Sequence, residues 1–205
     1  MQLWTIQPKA VYDLILKTGV YRCDPFKSEM LKPLDEACEG ILEPVFQRKY
    51  DWLVGRMEQR IGKRPDGVIY PVWAWYRYEG SDKPDLRKER WSNGNPGTLM
   101  ACILLDIPDD RVVLSDFGNW HHVLNGWPIV DTEDEADKAD AYMDTLTEPE
   151  KDNFLDNNWE RVFETDVFDN GWTSRGQDVQ ATFWELRRED VRGVRFFTAC
   201  EKKHN

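Results

Sequence analysis

The side chains in this sequence best suited to chemistry are flat aromatics set beside arginines. In the stretch IYPVWAWYRY, from Ile69 to Tyr78, Trp73, Trp75 and Tyr76 offer rings on which a flat ligand could stack, and Arg77 follows them directly. Arg22 lies in a second short extended segment, VYRCD, at what reads as the mouth of a sheet, where phosphates are commonly held. Between Glu79 and Gly97, Lys83, Arg87, Lys88 and Arg90 could close over a bound phosphate, because guanidinium forks match phosphate geometry. Gln180 is the polar residue at the start of the late strand VQATFWEL.

Other chemistries find less support. His121 and His122 are neighbours on a helical stretch and point in different directions, whereas a two-histidine metal site needs i and i+4 spacing. Cys23, Cys38, Cys102 and Cys200 are scattered, with no CxxC pair, so they read as reduced, mostly buried thiols. Carboxylates such as Asp134 and Asp137 could meet a divalent cation, yet no calcium-loop pattern surrounds them. No self-sufficient catalytic motif appears.

The elements that must position these groups are legible in the periodicity. Alternation along Ile69 to Tyr78 puts Trp73, Trp75 and Arg77 on one face and Val72, Ala74 and Tyr76 on the other, as suits a strand in the middle of a sheet covered on both sides. Leu3 to Ile6 is a strand leading into a helix from Lys9 to Thr18, with Val11, Leu14 and Ile15 on one face and Gly19 as C-terminal cap. Leu34, Cys38, Ile41 and Leu42 begin a helical pattern that Pro44 interrupts and that resumes to Ile61, with Gly62 as the stop. Glu79 to Gly97 reads as a mobile surface loop. Thr98 to Ile107 is a continuous apolar run, hence a buried strand, followed by a short strand from Arg111 to Leu114. Ser115 then looks like the N-cap of a helix from Phe117 to Leu124. Val179 to Leu186 is the next strand, with Gln180, Thr182, Trp184 and Leu186 on one face, and Gly193 to Cys200 closes the sheet. Strands near both ends with long helical connections predict an α+β fold built on a small mixed or antiparallel sheet, in one domain over residues 1–205.

Charge is placed unevenly. From Asp131 to Asp169 there are fifteen Asp/Glu against three Lys/Arg, a local net of −12 in a chain whose net charge is −11. Thr132/Glu135 and Thr147/Glu150 fit the capping-box pattern, and Phe154, Trp159, Val162 and Phe163 supply a docking face. The segment 131–169 therefore reads as an acidic helical insertion. It would repel duplex DNA and could engage a basic protein partner as a non-catalytic interaction module. No stretch approaches the length of a membrane span, and MQLWTIQPKA lacks the pattern of a signal sequence, so the reading is a cytoplasmic protein without a membrane partner.

Three stretches, LWTIQPKAVYDLILKTGVYRCD, DIPDDRVVLSDFGNWHHVLN and VQATFWELRREDVRGVRFF, together resemble an uncharacterised bacterial domain family of about this length. The order of strand, helix and glycine at Leu3 to Gly19, a central aromatic strand, and a late strand with a polar residue before a turn and a final strand, is also similar to the ADP-ribosyltransferase fold. That resemblance implies a split sheet with a cleft holding NAD. A first-strand histidine or arginine of such proteins contacts the nicotinamide ribose or phosphates, and a late-strand glutamate holds the ribose and stabilises the oxocarbenium-like charge as nicotinamide leaves. Here the first-strand position falls at Leu3 or Trp4, beside Thr5, and the glutamate position falls at Gln180, with Glu185 nearby on the opposite side of the strand. The implied site thus takes Gln180 and Glu185 as catalytic candidates, and Trp4, Thr5, Arg22, Trp75, Tyr76 and Arg77 as contacts to NAD or ADP-ribose, with no metal. Glutamine can hydrogen-bond a ribose but carries no negative charge, so the resemblance implies nucleotide binding and leaves transfer without its main electrostatic term.

Overall fold

Alternating apolar residues in β1 (Gln2–Pro8) place Leu3 and Thr5 on one face of a sheet and Trp4 on the other, and Pro8 ends the strand where α1 (Lys9–Thr18) begins. The computed structural model describes residues 1–27 and 44–201. α1 closes on Gly19, whose φ of 83° is the left-handed cap that its lack of a Cβ permits. The chain continues through β2 (Val20–Tyr21), α2 (Pro44–Ile61), β3 (Val72–Arg77) and α3 (Leu86–Ser92). After these come β4 (Leu99–Asp106), β5 (Val113–Asp116), α4 (Phe117–Asn125), α5 (Glu133–Met143) and α6 (Glu148–Asn158). The last strands are β6 (Phe168–Asp169), β7 (Ser174–Arg175), β8 (Val179–Phe183), β9 (Leu186–Arg187) and β10 (Val191–Thr198).

Six strands form one sheet in the order β10-β4-β1-β3-β8-β5, and each paired neighbour is antiparallel. Two small ribbons, β2-β9 and β6-β7, accompany it. The architecture is α+β, as the sequence predicts. The aromatic strand β3 lies inside the sheet, between β1 and β8, and its two faces enter different cores. Val72 and Ala74 join Leu3, Ile15, Ile103 and Phe183 beneath α1, whereas Trp73 packs against Tyr50, Trp120 and their neighbours from α2 and α4. Rings meet edge-on or tilted across this second core, with Trp73 and Trp120 centroids 5.3 Å apart and Tyr50 and Trp120 at 5.5 Å, geometries worth about 0.5–1.5 kcal/mol each beyond the area they bury.

Several expectations change in the folded chain. The segment Glu79 to Gly97 is no open loop: Asp85 caps α3 by accepting from the Arg87 backbone N–H, and Glu89 is buried beneath that helix. The cap of α4 is Asp116, which accepts from the Asn119 N–H, while Ser115 belongs to β5. That strand is displaced toward the C-terminus relative to Arg111–Leu114 because Asp109–Arg111 winds into a 3₁₀ turn. Leu186 leaves the face of Gln180 and Thr182 and enters the core beneath α1, since β8 stops at Phe183 and the chain turns at Trp184 and Glu185. Among the described residues α2 begins at Pro44 and runs to Ile61, with Gly62 as the expected stop. The helical pattern assigned to Leu34, Cys38, Ile41 and Leu42 lies outside the described residues.

The acidic segment is helical and docked. Trp159 and Val162 are fully buried, and the Trp159 indole donates to the Trp127 carbonyl at 2.8 Å. Arg48 on α2 pairs with Asp152 and Asp156 at 3.0 and 2.9 Å, and Arg60 reaches Glu160 at 2.7 Å. The inner carboxylates are thereby matched to α2, and the outward Glu133, Asp137, Asp140 and Asp144 make no ion pair among the described residues. Glu150 accepts from both the N–H and the hydroxyl of Thr147, fixing the start of α6. No described helix is long and apolar enough to cross a membrane.

Candidate functional site

Strand register brings together residues that are far apart in the sequence. Trp4 on β1 faces Leu104 on β4 and Trp75 on β3; Trp75 faces Gln180 on β8; and Gln180 faces Ser115 on β5. Residues directly opposite in neighbouring strands share a face, so Trp4, Trp75, Gln180 and Ser115 form one continuous row. At about 4.8 Å per strand the row runs roughly 14 Å from Trp4 to Ser115. The next row along the same face holds Trp73, Thr182 and Val113.

These two rows share an electrostatic peculiarity. Trp4 Nε1, Trp73 Nε1, Ser115 Oγ and Gln180 Oε1 are all buried, and none has a hydrogen-bond partner. Trp4 is 2% exposed and Ser115 1%, so water does not supply the missing bonds freely. Folded proteins leave few such atoms, and each costs about 1–3 kcal/mol of desolvation. Two unpaired donors and two oxygens able to accept, set along one sheet face, suit a flat polar molecule that donates and accepts.

The edges of the row are firmly held. Trp75 lies 4.7 Å from the Tyr78 ring and 5.1 Å from Phe117, the first residue of α4. Asp116 takes N–H groups from Asn119 at 2.9 Å and from Gly176 at 2.7 Å; burial nevertheless raises its pKa, because those bonds compensate only part of the lost hydration. A Cβ on Gly176 would come within 2.6 Å of the Asp166 carbonyl oxygen, and its φ of 79° is one that only glycine adopts without strain. The 176–178 loop also takes Gly80 N–H on the Gln177 carbonyl at 2.9 Å, tying the turn after β3 to the start of β8.

The remaining candidates fall elsewhere. Thr5 points to the opposite face; its hydroxyl donates to the Trp73 carbonyl at 2.9 Å and accepts from Gln7 at 3.0 Å. Tyr76 packs on the core beneath α1, and a bulge between Trp75 and Arg77 breaks the alternation there. Arg77 donates to the Gly176 carbonyl and rests 5.6 Å from the Tyr76 ring, so its guanidinium supports the loop beside Asp116. Arg22 and Glu185 form an ion pair, with Nη2 to Oε1 at 2.6 Å and Nε to Oε1 at 2.8 Å, and Arg187 approaches the other carboxylate oxygen at 3.5 Å. Glu185 is thus occupied by two arginines in the break between β8 and β9, and it is not in the row with Gln180.

Sequence reasoning missed Ser115 as a site residue by reading it as a helix cap. It also missed a cavity of about 500 Å³ whose lining includes Trp4, Leu104, Lys83, Arg192 and Arg195 together with Asp82 and Asp106. His121 and His122 separate as expected, with Nδ1 atoms against the Phe117 and Pro128 carbonyls respectively. Burial raises the thiols of Cys23 and Cys102 to about 11, so neither is poised as a nucleophile. Among the described residues no cluster of His, Cys, Asp and Glu is arranged to hold a metal.

Comparison with curated proteins and with solved structures gives no match. One family model does match, over residues 2–192, which include every strand of the row and five of the six strands of the sheet. The chain belongs to the family described as Domain of unknown function (DUF3841).

Proposed function

We propose that this protein binds a nucleotide, NAD or ADP-ribose, on the sheet face that carries Trp4, Trp75 and Gln180. The observation that supports the reading is the set of unpartnered buried atoms in and beside that row, Trp4 Nε1, Trp73 Nε1, Ser115 Oγ and Gln180 Oε1. A ribose hydroxyl can donate to Gln180 Oε1 and Ser115 Oγ, an indole N–H can donate to a ligand oxygen, and the Trp75 ring offers a flat partner for a base. Each bond made to a ligand relieves a cost already present in the free protein, so binding gains more there than at a hydrated surface.

Binding, and not group transfer, is the activity this chemistry favours. The position where a transferase would hold a negative charge against an oxocarbenium-like centre is Gln180, and Glu185 is paired with Arg22 and Arg187. Isothermal titration with NAD and ADP-ribose tests the first half of the proposal, and mass spectrometry of the NAD sample for free nicotinamide tests the second. Saturable binding with intact NAD is the expected result. Absence of heat with both ligands would overturn the reading, and release of nicotinamide would overturn the assignment of binding alone.

A further inference from the structure

The cavity beside Trp4 gathers cations in a chain that is acidic as a whole. The chain has a net charge of −11, yet three cations, Lys83, Arg192 and Arg195, line this space against two carboxylates, Asp82 and Asp106. Arg192 spends only a long contact on Asp106, at 3.5 Å, and another on the Glu189 carbonyl at 3.4 Å. Arg195 and Lys83 make no ion pair among the described residues.

Arg195 stands opposite Cys102, the residue two before Leu104 on β4, and therefore on the face that carries Leu104 and Trp4. At the floor lies Trp4, whose Nε1–H is buried without an acceptor. A volume of about 500 Å³ falls within the usual range of small-molecule sites. Guanidinium forks, an ammonium and an unpaired indole donor together supply donors with a local excess of positive charge, a combination that recognises a phosphate or diphosphate oxygen cluster.

We infer that this cavity is the anion subsite of the ligand site, holding the phosphate or diphosphate of the bound molecule while its ribose and base extend along the row toward Trp75 and Gln180. The inference rests on the nucleotide reading above and narrows it to phosphorylated ligands. Trp4 belongs to both the cavity and the row, and two strand spacings, about 10 Å, separate it from Gln180.

The test is calorimetry with four probes, ADP-ribose, ATP, adenosine and inorganic pyrophosphate, against the full chain and its Arg195→Gln and Arg192→Gln variants. Both arginines are exposed, so the variants keep the fold, which an unchanged melting temperature confirms. The inference expects the phosphorylated ligands to bind at least about tenfold more tightly than adenosine, and each variant to weaken them about tenfold while leaving adenosine unchanged. If nucleotides and adenosine bind alike and neither variant matters, the anion subsite is wrong and the nucleotide reading survives. If pyrophosphate binds as tightly as any nucleotide and is lost in Arg195→Gln, the anion subsite survives and the row is not a nucleotide site. Absence of binding by all four probes would overturn both.

Discussion

Replacing Ser115 by alanine should make the free protein more stable. Ser115 is 1% exposed on β5, and its Oγ has no hydrogen-bond partner. A buried hydroxyl without a partner costs about 1–3 kcal/mol, and alanine removes it. Against this stands a small void: at about 24 cal/mol per Å³, one missing oxygen of roughly 10–15 Å³ returns only about 0.3 kcal/mol. The net expectation is a gain of about 1 kcal/mol, and for a chain of this size that raises Tm by about 2–4 °C. Thr5→Val is the matched control, because that hydroxyl donates to the Trp73 carbonyl and accepts from Gln7; its removal should cost about 1–2 kcal/mol. Urea unfolding of both variants, followed by circular dichroism, reads the midpoints at constant slope. The two substitutions should move the midpoint in opposite directions. If Ser115→Ala loses as much stability as Thr5→Val, the Ser115 hydroxyl is satisfied in the fold and holds no unspent hydrogen bond for a ligand.

Other perturbations test the frame around the site. Asp190 is 3% exposed and receives two bonds from Arg111, at 2.9 and 3.1 Å, and one from the Arg187 N–H at 2.9 Å; Arg111→Ala leaves the buried carboxylate without its counter-charge and should cost about 3–5 kcal/mol in a denaturant melt. Burial raises the pKa of Glu89 in the folded state above its unfolded value; the folded chain then binds the extra proton, and this group's contribution to stability falls as pH rises through the folded pKa. Asp116 acts in the same sense. These two groups should therefore add stability as pH is lowered from 7 toward the ordinary carboxylate range, against the opposite pull of Asp24, Asp85 and Glu150, whose pKa values the fold lowers, and Glu89→Gln should gain less than the parent chain over that interval; urea midpoints of the two measure the difference, and equal gains would contradict the assignment.

Local patterns carried the fold further than they carried the site. Gly19 ends α1 where its left-handed φ is needed, and simple alternation along β3 sorted Val72 and Ala74 from Trp73 into separate cores. Alternation failed where the chain leaves the strand: Leu186 changes sides because the backbone breaks at Glu185, which Arg22 and Arg187 hold from outside. The helix Leu86–Ser92 did have a local signal, Asp85 after Pro84 followed by good helix formers, but the density of charge there read as solvated loop. Trp4, Trp75, Gln180 and Ser115 meet only through antiparallel registers across β1, β3, β8 and β5, and no spacing in the sequence announces such a row. Trp75 and Gln180 were legible as residue types, while Thr5 and Glu185 were legible as chemistry that the fold uses for its own hydrogen bonds and ion pairs.

The most direct measurement follows the indole N–H groups themselves. Tryptophan side chains of the ¹⁵N-labelled protein give separate signals, and Trp4→Phe and Trp73→Phe assign the two whose Nε1–H lacks an acceptor. Saturating ADP-ribose should shift the Trp4 signal, and with it Trp73, as a ligand oxygen accepts the bond, while the indole of Trp159, already bonded to the Trp127 carbonyl, stays in place. If ADP-ribose and NAD leave the Trp4 and Trp73 signals where they were, the sheet face is not a nucleotide site.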